Sequence, residues 1–422
     1  MQKLLYLCAL FVRRQMNYLT LIMVVAILFG LTDFLTERYP NLQRDIYYIA
    51  FATIAFLCTI KYYYGPDVAN YVPFYEHPGS MEYILSHPDE LPYGFEPGYA
   101  IFCRWLKTSG VSFYWMTAII SIMYFVAVGL LFRKIESKRA FALAILVVLD
   151  YNIILYEYRQ CMSVAAFIFM ILLMEKRHYI PAAVCAIVAI TCHKAGMMVV
   201  IPTLIFYILT YNTTPKHIFA VLLVALIFML VLPITNISVD FISRLPFSHR
   251  VLYSMEHHLS IGKQVQSVFI VYVVVLMCLV HYAQFFQTRA QAIAGAALIG
   301  IACIVLLYQY YYLLNRIRSY FTPILLVYIF NYVQNAEKRP VRIPYGQLVK
   351  QATCFVMLVY MVHVTVALHR NEKSMHNHVN EACTVFDLRG DVRAKDVQRK
   401  QLNRAEKYWE EDFMKAEQNK IR

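Results

Sequence analysis

The sequence predicts an all-α, polytopic membrane protein with about twelve transmembrane helices, and three observations carry that prediction. Composition comes first: 60% of the 422 residues are hydrophobic and 15% charged, against about 25% charged in a soluble domain. Mean hydropathy is correspondingly high at +0.51. Second, the apolar residues fall in runs of roughly 16 to 22, each long enough to cross a hydrocarbon core of about 30 Å as a helix. Third, the runs lack the period-two alternation of barrel strands of about ten residues, which excludes an outer-membrane barrel.

In chain order the candidate spans are 17–35, 45–61, 112–132, 140–156, 159–174, 179–191, 195–211, 217–235, 267–286, 291–314, 319–332 and 349–368. The first follows a charged start in which Arg13 and Arg14 break a short apolar stretch. Without a small-residue cleavage site, that start does not read as a removable signal peptide. The second and third spans flank the long polar segment 62–111, and the eighth and ninth flank 236–266. The short loops 133–139, 175–178 and 337–342 are the most basic, and an even number of spans separates each pair. The positive-inside rule therefore puts all three in the cytoplasm. The same count puts the segments 62–111 and 236–266, and tight turns around Arg159, His193 and Arg316, on the outer face. It also puts both termini outside, in conflict with Arg13, Arg14 and the charge-dense tail. The chain reads as a single membrane domain, 1–368, followed by a charged, helical tail, 369–422, with no internal repeat or Gly/Ser linker.

The balance of 39 Lys and Arg against 26 Asp and Glu gives +13, but the basic residues are dispersed among short loops and the tail. Topology explains them, and no nucleic-acid partner is expected. The ten cysteines form no CxxC pair. Most sit in or beside apolar runs and read as small buried hydrophobes.

Arginines on the outer side need a reason beyond topology: Arg159, Arg244, Arg250, Arg316 and Arg318. Snorkelling to lipid headgroups is the plain explanation; a planar fork binding phosphate through two bonds is the functional one. Arg159 stands out because Tyr156, Glu157, Tyr158 and Gln160 surround it in a tight turn. In YYYGPDVANY, Gly65 and Pro66 set a turn and Asp67 precedes Tyr71 by one helical turn, so that carboxylate and phenol can share a face. Capping the following helix is the structural role open to Asp67. In YGFEPGY, Glu96 sits between aromatic residues before a short amphipathic piece with Arg104, Trp105 and Lys107, too charged to span and suited to the interface. In CHKAG, His193 and Lys194 lie at an outer junction, where a histidine is either structural or functional. The 34 tyrosines offer hydroxyls and faces suited to sugars. No metal site is expected: the His257, His258 pair lacks a carboxylate at ligand spacing. Nor is there a Walker loop, a GxSxG elbow or an outer DxD, and no cofactor is implied.

Taken in order, YYYGPDVANY, GFEPGY, YEYRQCMSVAAFIF, CHKAG and NRIRSYF resemble the EpsG family of bacterial exopolysaccharide proteins, and the whole resembles a Wzy-like polymerase with a GT-C/Wzy-like fold. The resemblance covers about 17–368. Its most specific parts are Gly65, Asp67 and Tyr71; Arg159 with Gln160; His193 with Lys194; and Arg316 and Ile317 with Tyr320 and Phe321. It implies a multi-pass protein of the bacterial inner membrane. The implied function is to polymerise or transfer oligosaccharide units carried on a polyprenyl diphosphate at the outer leaflet, for capsule, O-antigen or exopolysaccharide. Expulsion of a diphosphate without a divalent metal needs fixed cations, which Arg159, Arg316 and Arg318 can supply. An acceptor hydroxyl needs a base, for which Asp67 and His193 rank ahead of Glu96. The expected catalytic set is Asp67, Arg159, His193 and Arg316, with Tyr71, Glu96, Gln160, Lys194, Arg318 and Tyr320 binding substrate. Membrane lipids and a chain-length regulator are candidate partners. A lipid-linked oligosaccharide flippase is the competing function; it calls for charge deep in the spans, where the sequence shows little beyond Asp150.

Overall fold

The computed structural model describes residues 18–62, 67–88, 91–210, 292–306, 311–335, 351, 354–366 and 383–384. Its regular structure is helical apart from an antiparallel pairing of Lys61–Tyr62 with Cys383–Thr384. The helices are α1 (Tyr18–Leu35), α2 (Pro40–Thr59), α3 (Val68–Glu76), α4 (Met81–Ser86), α5 (Pro97–Thr108), α6 (Phe113–Phe132), α7 (Arg139–Leu149), α8 (Tyr151–Leu155), α9 (Tyr158–Glu175), α10 (Tyr179–Cys192), α11 (Lys194–Thr210), α12 (Ala292–Leu306) and α13 (Tyr311–Asn335), followed by α14 (Cys354–Val366). Among the described residues three helices, α1, α6 and α9, are long and apolar enough to cross a membrane. The expected spans 217–235 and 267–286, the loop 236–266 with Arg244 and Arg250, and all but two residues of the tail lie outside the described residues.

The chain divides into two units: Met1–Ala166, Thr191–His193 and Ile329–Arg422 form one, Phe167–Ile190 and Lys194–Tyr328 the other. In the first unit α1 and α7 approach closely at Gly30, where a Cβ would stand 3.0 Å from the Ala144 Cβ; small residues are what let helices in lipid approach this closely. The start of α7 lacks a cap of its own, because Lys138 holds the N-cap position in the left-handed region at φ 60° with no side-chain acceptor. The buried Asp33 of α1 supplies one: its Oδ2 accepts the Phe141 N–H at 2.9 Å. A second buried charge, Lys61, donates to Ser121 Oγ at 3.1 Å and to the Ile154 carbonyl. The interior thus holds more charge than the sequence suggests, and Asp33 and Lys61 are both bound to backbone groups.

The expected span 140–156 is interrupted at Asp150, which leaves helical geometry at φ −114°, ψ 25° and separates α7 from α8. Beyond it, Tyr156 and Glu157 form the turn expected before Arg159.

In the second unit Glu175 closes another helix start from far away. Its Oε2 accepts the Ala292 N–H at 2.7 Å and the Ile293 N–H at 3.3 Å, at the N-terminus of α12, where the helix dipole favours a carboxylate. Gly300 admits the side chain of Phe321, to which a Cβ would come within 2.6 Å. The Phe167 ring stands edge-on to both Tyr320 and Phe321, centroids 5.8 and 5.6 Å away. One expectation is corrected here: Arg316 does not sit in a tight turn between two spans. A continuous α13 runs through it, because NRIRSYF contains no Gly or Pro to break a helix. Even Pro323 is accommodated inside it.

Candidate functional site

The polar segment between α2 and α6 builds most of the site. A 3₁₀ turn, Pro92–Gly94, ends with Gly94 at φ 61°, a conformation that favours glycine, and Pro97 opens α5. Glu96 occupies the N-cap position of α5 in extended conformation without making a cap hydrogen bond. Its carboxylate turns instead to Arg159 in the first turn of α9: Arg159 Nη1 lies 2.7 Å from Glu96 Oε2. The same nitrogen reaches the Gly94 carbonyl at 3.4 Å, and Nε reaches the Tyr71 hydroxyl at 3.4 Å. Glu96 and Arg159 are both largely buried, with side-chain exposures of 7% and 18%.

Aromatic rings floor the guanidinium. Its carbon lies 4.4 Å from the Phe95 ring centre, and Phe95 stacks on Tyr71 with centroids 5.4 Å apart and planes 7° off parallel. Tyr158 and Tyr99 close on Tyr71 from other sides, at 5.1 and 5.8 Å. Arginine suits such a place because its planar, weakly hydrated fork stacks on rings while donating hydrogen bonds in its plane. Of the five guanidinium protons, those on Nε and Nη1 are directed at protein acceptors; the Nη2 edge has none among the described residues.

Asp67 begins α3, half-buried, and its side chain makes no cap hydrogen bond either. Its charge acts on Tyr71, whose hydroxyl is pushed up to about 12, chiefly by burial, with Asp67 adding to the rise and Arg159 opposing it. Asp67, Tyr71, Arg159 and Glu96 are thus one electrostatic group.

His193, buried, forms the one-residue break between α10 and α11. The end of α10 reaches the Glu96 region through a close contact: a Cβ on Gly98 would stand 2.8 Å from the Thr191 carbonyl carbon. Gly98→Ala should therefore push the CHKAG segment away from GFEPGY and cost about 1–3 kcal/mol, as overpacking does. Thr191→Ala will not rescue it, because a backbone atom is in the way. The measurement is the thermal unfolding midpoint in detergent; an unchanged midpoint contradicts the contact.

The remaining residues fall elsewhere. Gln160 is buried beside Arg159, and Lys194 is exposed at the start of α11. Arg316 and Arg318 lie in α13 of the second unit, with Tyr320 fully buried against Phe167. Two residues on a helix differ by about 200° in direction, so Arg316 and Arg318 cannot both face one ligand. Sequence reasoning missed Phe95, the Gly94 carbonyl and Gly98. GFEPGY signals the turn, but nothing in it tells that Glu96 faces an arginine 63 positions on. Among the described residues no group of three His, Cys, Asp or Glu is placed to hold a metal ion.

Apolar helices of spanning length, one of which carries Arg159 in its first turn against Glu96 and Tyr71, mark a helical membrane protein with a polar site. The chain belongs to the EpsG family, whose model matches residues 45–378. That range contains Asp67, Glu96, Arg159, His193 and Arg316. No curated protein and no solved structure matches the chain.

Proposed function

We propose that this protein is a glycosyltransferase that polymerises or transfers polyprenyl-diphosphate-linked oligosaccharide units at the outer face of the bacterial inner membrane, for exopolysaccharide, capsule or O-antigen synthesis. The observation that carries the reading is the half-engaged fork of Arg159. Glu96, Tyr71 and the Gly94 carbonyl hold two of its nitrogens, leaving a pre-oriented Nη2 edge for an anionic oxygen. The membership in the EpsG family supports the same reading.

In this reaction an acceptor hydroxyl attacks the anomeric carbon of the lipid-linked unit. The new glycosidic bond forms as the sugar to diphosphate bond breaks, the diphosphate leaves with the electron pair, and the hydroxyl proton passes to a base. Arg159 stabilises charge as it develops on the leaving oxygen, and Arg316 is proposed as a second such cation on the family motif alone. Such fixed cations are worth most in a site from which water is excluded, and in this reading they do the work of a divalent metal. Glu96 is committed to Arg159 through the 2.7 Å contact and is not placed to take a proton from an acceptor. Asp67 is the base, and His193 orients the acceptor. Tyr71 and Gln160 sit beside Arg159 as binding residues, and Lys194 adjoins His193; Arg318, turned about 200° from Arg316 on α13, and Tyr320, buried against Phe167, are assigned no substrate contact. A chain-length regulator and membrane lipids are the partners.

The flippase reading draws on charge inside the bundle. The buried charges Asp33 and Lys61 are bound to the Phe141 N–H and the Ile154 carbonyl, which gives them a structural role and lends the flippase reading no support.

The side of the membrane tests the proposal. In Lys194→Cys, at an exposed position, the thiol should react with an impermeant maleimide in cells whose outer membrane alone is permeabilised. Labelling only after the inner membrane is broken would place the site in the cytoplasm and remove the polymerase mechanism.

A further inference from the structure

A cavity of about 690 Å³ lies in the first unit between the end of α1 and the start of α14, away from the Arg159 cluster. The two are at opposite ends of α6: Phe113 packs near Tyr158, while the loop after Phe132 carries Lys134, whose carbonyl accepts from Asn331. That helix is about 30 Å long. The volume falls in the range of ligand clefts, about 300–1,000 Å³. Its walls include Phe34, Leu35, Phe355 and Leu358, with Glu37, Lys138 and Gln351 as the polar members. Leu35 and Phe355 are 82% and 66% exposed, so the apolar wall continues onto surface that faces lipid in a membrane protein.

Lys138 is the unusual member. Its side chain is only 6% exposed, held by its αL backbone between the Phe34 ring, 4.3 Å from Nζ, and Glu37, 3.6 Å away. The Glu37 side chain is 56% exposed, so water can solvate its carboxylate once it leaves the buried ammonium. A competing anion can therefore take the ammonium while Glu37 swings into water. The loop that carries Lys138 also carries Arg133, Lys134 and Arg139, which raises the local positive potential.

We infer that this cavity is a binding site for an anionic phospholipid, with one acyl chain between α1 and α14 and the phosphate on Lys138. Apolar walls alone would accept any lipid; the buried cation at one end selects an anionic headgroup. A free phosphate would leave the apolar walls of Phe34, Leu35, Phe355 and Leu358 unoccupied, and a peptide would have to enter from the lipid side. The basic loop is the one that charge counting assigns to the cytoplasm, where the anionic leaflet surface lies.

The test is native mass spectrometry of the full-length protein in detergent, with dioleoyl phosphatidylglycerol and dioleoyl phosphatidylcholine added in equal amounts. Phosphatidylglycerol should be retained roughly fivefold more, as about 1 kcal/mol per surface cation implies. Lys138→Gln should abolish that preference. Glu37→Gln, at an exposed position, should increase it by removing the competitor. Leu358→Trp should lower retention of both lipids by filling the cavity. Equal retention of the two lipids by the unaltered protein would overturn the inference. So would a preference that Glu37→Gln leaves unchanged together with lipid retention that Leu358→Trp does not lower, and these two variants decide the matter if Lys138→Gln fails to fold. Lipid retention is read without glycan elongation, so the result stands apart from the proposed activity.

Discussion

Arg159→Lys is expected to reduce polymer output by about 10²- to 10³-fold at matched protein level, the loss typical of removing one well-placed donor to developing negative charge. The change is informative because lysine keeps what the fold needs. An ammonium can still pair with Glu96, so the buried carboxylate is not stranded, and the aliphatic stem can still lie against Phe95. Lost are the bond to the Tyr71 hydroxyl and the Nη2 edge, which a point-like ammonium cannot reproduce. A headgroup-snorkelling arginine would tolerate the same change. Arg244→Lys and Arg250→Lys, outside any motif of the site, serve as controls and should retain full-length polymer. Polymer yield and length from cells carrying each variant are the readouts. Normal polymer from Arg159→Lys would remove the clamp.

Asp67→Asn should lower glycan elongation by about 10² to 10⁴, the range of general-base contributions, while leaving binding of the lipid-linked substrate nearly unchanged. The amide keeps size and hydrogen bonding but not basicity. A capping residue would behave differently, since asparagine caps a helix about as well as aspartate, and the Asp67 side chain makes no cap bond to α3. Elongation at the normal rate in Asp67→Asn would return the base role to His193 or Glu96. Glu96 is the weaker of these because Arg159 holds its carboxylate at 2.7 Å.

Local signals carried the sequence analysis as far as they reach. Apolar runs locate α1, α6 and α9 within a residue or two, and a one-residue break at His193 follows from a polar pair between two such runs. The turn before Arg159 and the amphipathic α5 are likewise set by neighbours in the chain. What the sequence hides is the long-range pairing of polar groups. Asp33 closes α7 from 108 positions away and Glu175 closes α12 from 117, so no local capping pattern marks either helix start. Lys61 reaches the Ile154 carbonyl across 93 positions. Arg159 and Glu96 each look like an interface residue when read alone, and their pairing comes from folding the polar segment before α6 back over α9. At Arg316 the error has the opposite origin: polarity suggests a turn, but polar residues without Gly or Pro continue a helix.

The central claim is that this protein elongates a lipid-linked glycan, and the most direct measurement is turnover by the purified protein of a polyprenyl-diphosphate oligosaccharide in detergent or vesicles, with products resolved by length. The account predicts products lengthened by whole repeat units, with free polyprenyl diphosphate released in step, and both reduced about 10²- to 10³-fold in Arg159→Lys. Substrate that crosses the vesicle membrane without any gain in length would contradict it and assign the protein to transport.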